Sequence, residues 1–193
     1  MKVSIEKIMS EDTKEFIVNW EFKLSQIQGE TLNDVYDRFT SLYTIYNRLY
    51  NEAFRFLKEK KRLTKKNYSD FDKATIIVVE FISSKAIIES IKNNKNLGEI
   101  DAVCKLIENK VFYINLNNGQ PREEIDEQLL NNLKSTDIEI KAKAITSLIY
   151  KIRCNMVHGY KDFQEYQRLI VEPVSILLKD IIEAFKTELN KEI

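Results

Sequence analysis

The stretch Tyr150-Lys151-Ile152-Arg153-Cys154-Asn155-Met156-Val157-His158-Gly159-Tyr160-Lys161 places the sole histidine of the chain five positions after an arginine. Arginine presents a planar fork of donors that matches a phosphate. Histidine, with an ordinary pKa of about 6.5, takes or gives a proton near neutral pH. Held together at a helix junction, such a pair grips a phosphodiester and moves a proton, the two requirements of RNA cleavage without a metal. A blander role exists for each residue: a histidine at a helix end often caps or packs, and an arginine in a last turn complements the helix dipole.

The elements that must hold this pair are helical. With 4 Gly and 2 Pro in 193 residues, turn formers are too scarce for a many-stranded sandwich, and an all-α fold follows. From Thr31 to about Arg62, apolar residues recur in steps of three and four, through Leu32, Val35, Tyr36, Phe39, Leu42, Tyr43, Tyr46, Leu49, Tyr50, Ala53, Phe54 and Leu57, which predicts one long amphipathic helix. A shorter helix is expected before it, with Ser10 as N-cap, Phe16, Ile17, Trp20, Phe22 and Leu24 facing inward, and Gly29 ending the segment. Asp70 to about Asn93 reads as one helix despite the β-branched run Thr75-Ile76-Ile77-Val78-Val79, for which a strand is the minority reading. Residues 92–98 are a polar break before a helix from about Glu99 to Phe112.

A second break at Asn115 to Pro121 leads into a helix over Arg122 to Lys134, with Pro121 in its first turn. Ser135, Thr136 or Asp137 caps the next helix, which passes Ile145, Leu148, Ile149 and Ile152 and delivers Arg153 near its end. The last helix runs from roughly Phe163 to Leu189. Its apolar face holds Tyr166, Ile170, Val174, Leu177, Leu178, Ile181, Ile182, Phe185 and Leu189, and the register survives Pro173, so the proline is expected inside one helix.

Composition bounds the partners. A chain with 44% hydrophobic residues can bury one core unaided, so residues 1–193 are expected to form a single domain. Thirty basic residues balance thirty acidic ones; a nucleic-acid contact must therefore come from a local patch. Cys104 and Cys154 lack the spacing and the companions of a zinc site and read as reduced thiols, and neither metal nor cofactor is expected. The first residues do not resemble a secretory leader, and no stretch reaches the roughly 20 apolar residues of a membrane span, so a cytoplasmic protein without membrane contact is expected. The basic run from Lys58 to Lys66 reads first as a solvated helix end and second as a guide for a phosphate backbone. The aromatic residues Tyr36, Tyr43, Tyr46, Tyr50 and Phe54 read first as core or interface and second as stacking platforms for bases.

Arg153-x-x-x-x-His158 resembles the signature of HEPN domains, small helical domains many of which are metal-independent endoribonucleases. The flanks add to the likeness: Ile152 before the arginine, Asn155 two residues after it, the apolar pair Met156-Val157, and Gly159 after the histidine. Upstream, the run Phe39-x-x-Leu42-Tyr43-x-Ile45-Tyr46-Asn47-x-Leu49-Tyr50 is similar to the long early helix of several branches. Cys154 departs from the family pattern, which more often has Asn, His or Asp after the arginine.

The resemblance implies a HEPN-like helical bundle with a four-helix core and additional short helices. It also implies a homodimer in which two Arg–His sets face one groove and the RNA 2′-hydroxyl attacks the adjacent phosphate. In that picture Arg153 clamps the phosphate, His158 moves the proton, Asn155 orients one or the other, and Lys161 is a substrate-binding cation. Arg-x-x-x-x-His-x-Tyr also matches HEPN toxins paired with nucleotidyltransferase antitoxins, which makes Tyr160 a candidate modification site and suggests a toxin or antiviral role. The alternative from another class is a non-catalytic HEPN-like module that binds RNA, a nucleotide or a protein partner.

Overall fold

The longest element is α2 (Leu32–Glu59), and the rest of the chain is arranged on its aromatic stripe. A computed structural model describes residues 9–157 and 164–190. Thr31 caps α2 and Asp34 answers it in a reciprocal capping box, which satisfies two of the donors a helix start leaves without partners. Along the helix Val35, Phe39, Tyr43, Tyr46, Leu49, Tyr50, Ala53 and Leu57 are buried, and successive tyrosine rings meet edge to face: Tyr43–Tyr46 at 5.8 Å and Tyr46–Tyr50 at 5.4 Å between centroids. These contacts and the area removed from water are the main source of packing energy here.

The fold is an all-α helical bundle. Its core is formed by α2, the helical stretch 70–93, α8 (Ile138–Val157) and α9 (Arg168–Leu189), with Phe185 of α9 meeting Tyr46 edge-on at 6.2 Å. The helix α1 (Glu11–Ser25) lies on α2, while α6 (Leu97–Glu108) and α7 (Glu123–Leu133) close the bundle against α9 and α8. Buried residues from all of these helices belong to one apolar cluster. Among the described residues no helix is long and apolar enough to cross a membrane.

Several local expectations change. Phe22 is exposed at 67%, because Thr13, Ile17, Trp20 and Leu24 share the face of α1 turned to α2 and Phe22 falls on the other side. That helix stops at Ser25, ahead of Gly29. The stretch 70–93 is not one regular helix: α3 (Asp70–Asp72) runs into a π turn over Lys73–Ile77, then α4 (Val78–Ile82), and after Ser83 comes α5 (Ser84–Asn93). Ser83 has φ +78°, a conformation costly for a residue with a side chain, and its hydroxyl accepts the amide of Ala86 to start α5.

Pro121 is not in a helical first turn; it pairs with Leu116 in a two-residue hairpin, β1 (Leu116–Asn117) and β2 (Gln120–Pro121). Asn118 and Gly119, both with positive φ, form the turn that such a tight connection demands. Tyr166 is 41% exposed in a short 3-10 turn before α9 rather than on its apolar face. Pro173 does lie inside α9, buried.

Tyr46 is fully buried, and its hydroxyl donates to the carbonyl of Ala74 within the π turn. Tyr46→Phe leaves that carbonyl short of a partner, and it should lower the unfolding free energy by about 1–2 kcal/mol in urea titration with an unchanged m value. An unchanged midpoint would show that the hydroxyl is not what joins α2 to the π turn.

Candidate functional site

Arg153 sits in the last turns of α8, on the face that looks toward α2. Asp137 starts this helix by accepting the amides of Glu139 and Ile140, and buried Ile145, Leu148, Ile149 and Ile152 hold it in the bundle. The guanidinium carbon lies 5.6 Å from the centre of the Tyr43 ring, a cation–π contact. The two residues line a cleft of about 310 Å³ together with Phe39, Thr40, Asn47 and Met156.

Asp70, the described acid whose charge reaches this cleft, is engaged elsewhere. Asp70 accepts a hydrogen bond of 2.9 Å from the Tyr50 hydroxyl, which in turn accepts from the Asn47 amide. Arg153 makes no ion pair with a carboxylate among the described residues; the ring of Tyr43 takes that place. No described carboxylate therefore takes its donors in a half-buried setting, where an anion is bound more strongly than in open water.

Burial, and then the neighbouring Tyr50 and Asp70, push the Tyr43 phenol far above its ordinary pKa, while Arg153 pulls the other way. Tyr43 is thus neutral at physiological pH. Its hydroxyl is buried, close to that of Tyr50 but without a well-formed hydrogen bond. Tyr150, one turn before Arg153, is raised to about 12 by burial and by its neighbour Cys154. Neither tyrosine is a base near neutrality.

Asn155 is not brought to this cleft. Two residues along a helix is about 200° of rotation, and Asn155 points away from Arg153, buried, with its amide donating to the Ile114 carbonyl at 2.9 Å. The same extended segment is held by buried Asp126, which accepts the amides of Ile114 at 3.0 Å and Asn115 at 2.8 Å. Asn155 therefore fastens the end of α8 to residues 114–115. On the far side of the following connection, buried Gln167 accepts from the Tyr36 hydroxyl of α2, so both described ends of the α8–α9 connection are tied to the bundle.

His158, Tyr160 and Lys161, with Gly159, lie outside the described residues. The two cysteines are free thiols; Cys104 is buried, and that burial raises its pKa. In the basic run, Lys65 pairs with Asp72 at 2.9 Å, while Lys58, Lys61 and Arg62 are exposed at the end of α2 and in the loop after it. Tyr43 was legible as a core aromatic but not as the seat of Arg153, since nothing in the spacing links residues so far apart in the chain. Compared with protein-family models, with curated proteins and with solved structures, the chain matches none.

Two substitutions separate support from chemistry. Asn155→Ala leaves the Ile114 carbonyl buried and unpaired, and should cost about 1–3 kcal/mol of stability, read as a lowered Tm. Tyr43→Phe removes a hydroxyl that makes no good hydrogen bond, and should change stability by less than about 0.5 kcal/mol in the same experiment. A large loss for Tyr43→Phe would mean that this hydroxyl has a partner in solution.

Proposed function

We propose that the chain is a metal-independent endoribonuclease of the HEPN type, with Arg153 and His158 as its catalytic residues. The observation that carries the reading is the state of Arg153: half-buried, seated on an aromatic ring, in a cleft, with no carboxylate among the described residues occupying its donors. A structural arginine at a helix end more often spends its charge on an acid or on water. The sequence pattern around it supplies the second support.

In the proposed reaction the 2′-hydroxyl oxygen attacks the adjacent phosphorus and the bond from phosphorus to the 5′-oxygen breaks. The 2′-hydroxyl proton passes to a base and another proton reaches the departing 5′-oxygen, leaving a 2′,3′-cyclic phosphate and a 5′-hydroxyl. His158 is assigned the proton transfers, which suit an imidazole that titrates near pH 7. Arg153 is assigned the phosphate, whose equatorial oxygens gain negative charge in the transition state. A homodimer supplies two such sets to one groove, so that one histidine acts as base and the other as acid. Lys161 adds a substrate cation, and Tyr160 is the residue open to nucleotide transfer if the chain is a toxin under a nucleotidyltransferase antitoxin. Asn155 enters as a positioning residue that holds the end of α8. A cytoplasmic setting and a toxin or antiviral role complete the proposal.

The test is incubation of the purified protein with end-labelled RNA in EDTA, beside Arg153→Ala and His158→Ala, with product ends identified. Cleavage that leaves cyclic phosphates and falls by about 10²- to 10³-fold or more in each variant is the expected result. Full activity in Arg153→Ala would sink the assignment. RNA bound but uncut by the parent protein would favour the non-catalytic binding module.

A further inference from the structure

Along α8 from Ile140 to Lys151 lies a second groove, of about 580 Å³, walled by the π turn, the base of the hairpin, α7 and α8. Its charge is one-sided. Arg122, Lys143 and Lys151 line it, and no aspartate or glutamate among the described residues does. In a chain with equal numbers of basic and acidic residues, an acid-free wall is a local segregation of charge. The floor is apolar, with Ile125, Leu129 and Ile140 among its residues, and the amides of Gln128 and Asn132 add donors beside the cations.

Arg122 and Lys151 make no ion pair among the described residues, whereas Lys143 shares its charge with Glu139 at 2.5 Å. Lys143 and Lys151 stand eight residues apart on one stripe of α8, a separation of roughly 12 Å along the axis, longer than a single nucleotide step. The rim nearest Arg153 is aromatic: Phe71 is 36% exposed and meets Tyr150 edge-on at 5.2 Å, and Lys151 lies over the Phe71 ring at 5.7 Å. Tyr150 immediately precedes Lys151 and stands one turn before Arg153. The groove therefore runs along α8 up to Lys151, two residues before Arg153, and ends at an exposed ring there.

We propose that this groove is the track for a single RNA strand leading to Arg153, with Arg122, Lys143 and Lys151 on different phosphates of that strand and Phe71 stacking a base at the rim. This rests on the ribonuclease reading for the identity of the ligand and adds the path by which it is held. Charge selects a polyanion, since Arg122 and Lys151, unpaired among the described residues, and Lys143 beside them attract phosphates, and the lining offers no acid to a cationic ligand. The exposed ring selects a strand with unpaired bases, because a duplex has no base face to offer it.

The experiment measures fluorescence anisotropy of labelled single-stranded RNA on the full chain carrying His158→Ala, so that bound RNA is not cut. Arg122→Ala/Lys151→Ala in that background should weaken binding at least about 10-fold. It should also lower the slope of log affinity against log salt by roughly 1.4, about 0.7 for each phosphate that is no longer neutralised. Lys14→Ala/Lys85→Ala, which removes two charges from other surfaces, should change neither. Phe71→Ala should weaken binding about 5- to 100-fold with the salt slope kept, since stacking carries no counterion release. If a double alanine variant fails to melt cooperatively, Arg122→Gln/Lys151→Gln takes its place, with the same expected slope.

Equal affinity and slope in groove and control variants would overturn the track. The two readings fail separately. RNA held through the groove but never cut by the parent protein removes the ribonuclease and keeps the track, while cleavage with unchanged KM in the groove variant removes the track and keeps the ribonuclease.

Discussion

The buried ring of Tyr46 is the contact on which the arrangement of this protein depends. Its edges meet Tyr43 and Tyr50 on its own helix and Phe185 on α9, and its hydroxyl reaches Ala74 in the π turn. A tyrosine buried so completely must place its hydroxyl on an acceptor, and the acceptor chosen fixes where the 70–82 stretch lies against α2. Phe185 continues the aromatic contact to Phe81, stacked at 5.7 Å, and Phe81 to Phe56, so the rings run from α2 through α9 and α4 and back to α2. Three of the four core elements are thereby set by one side chain and its immediate neighbours.

The state of Arg153 follows from that packing. Tyr43 is held by Phe39 and Tyr46 with its face toward α8, and the arginine lies on that face. Asp70, the acid whose field reaches Arg153, is bonded to Tyr50. A quadrupole in place of a carboxylate lets the guanidinium be partly desolvated while no described acid takes its donors, a combination that an ion pair would abolish. Neutral Tyr43 adds no opposing charge.

Much of the bundle was legible because long amphipathic helices announce themselves. Thr31 with Asp34, Ser10 and Asp137 start their helices as their side chains suggest, and the stripe from Val35 to Leu57 is the buried one. The parts that were not legible have particular causes. Asn118-Gly119 is the residue pair that a two-residue hairpin turn wants, but strands of two residues carry too little alternation to be seen. The π turn and the left-handed Ser83 preserve an apolar period close enough to helical that one helix is the natural reading of residues 70–93. Asn155 sits in a motif that invites a chemical role, yet its position half a turn from Arg153 sends its amide to Ile114.

The order of the helices, their buried stripes and the presence of one arginine shortly before one histidine are properties of the linear chain, because local periodicity and capping act over a few residues. The seating of Arg153 on Tyr43, the diversion of Asp70 to Tyr50 and the gathering of Arg122, Lys143 and Lys151 around an acid-free groove were decided by the tertiary structure alone. Those contacts join residues tens of positions apart, and their energies depend on burial and on which competing partner is nearer. Spacing along the chain records neither quantity.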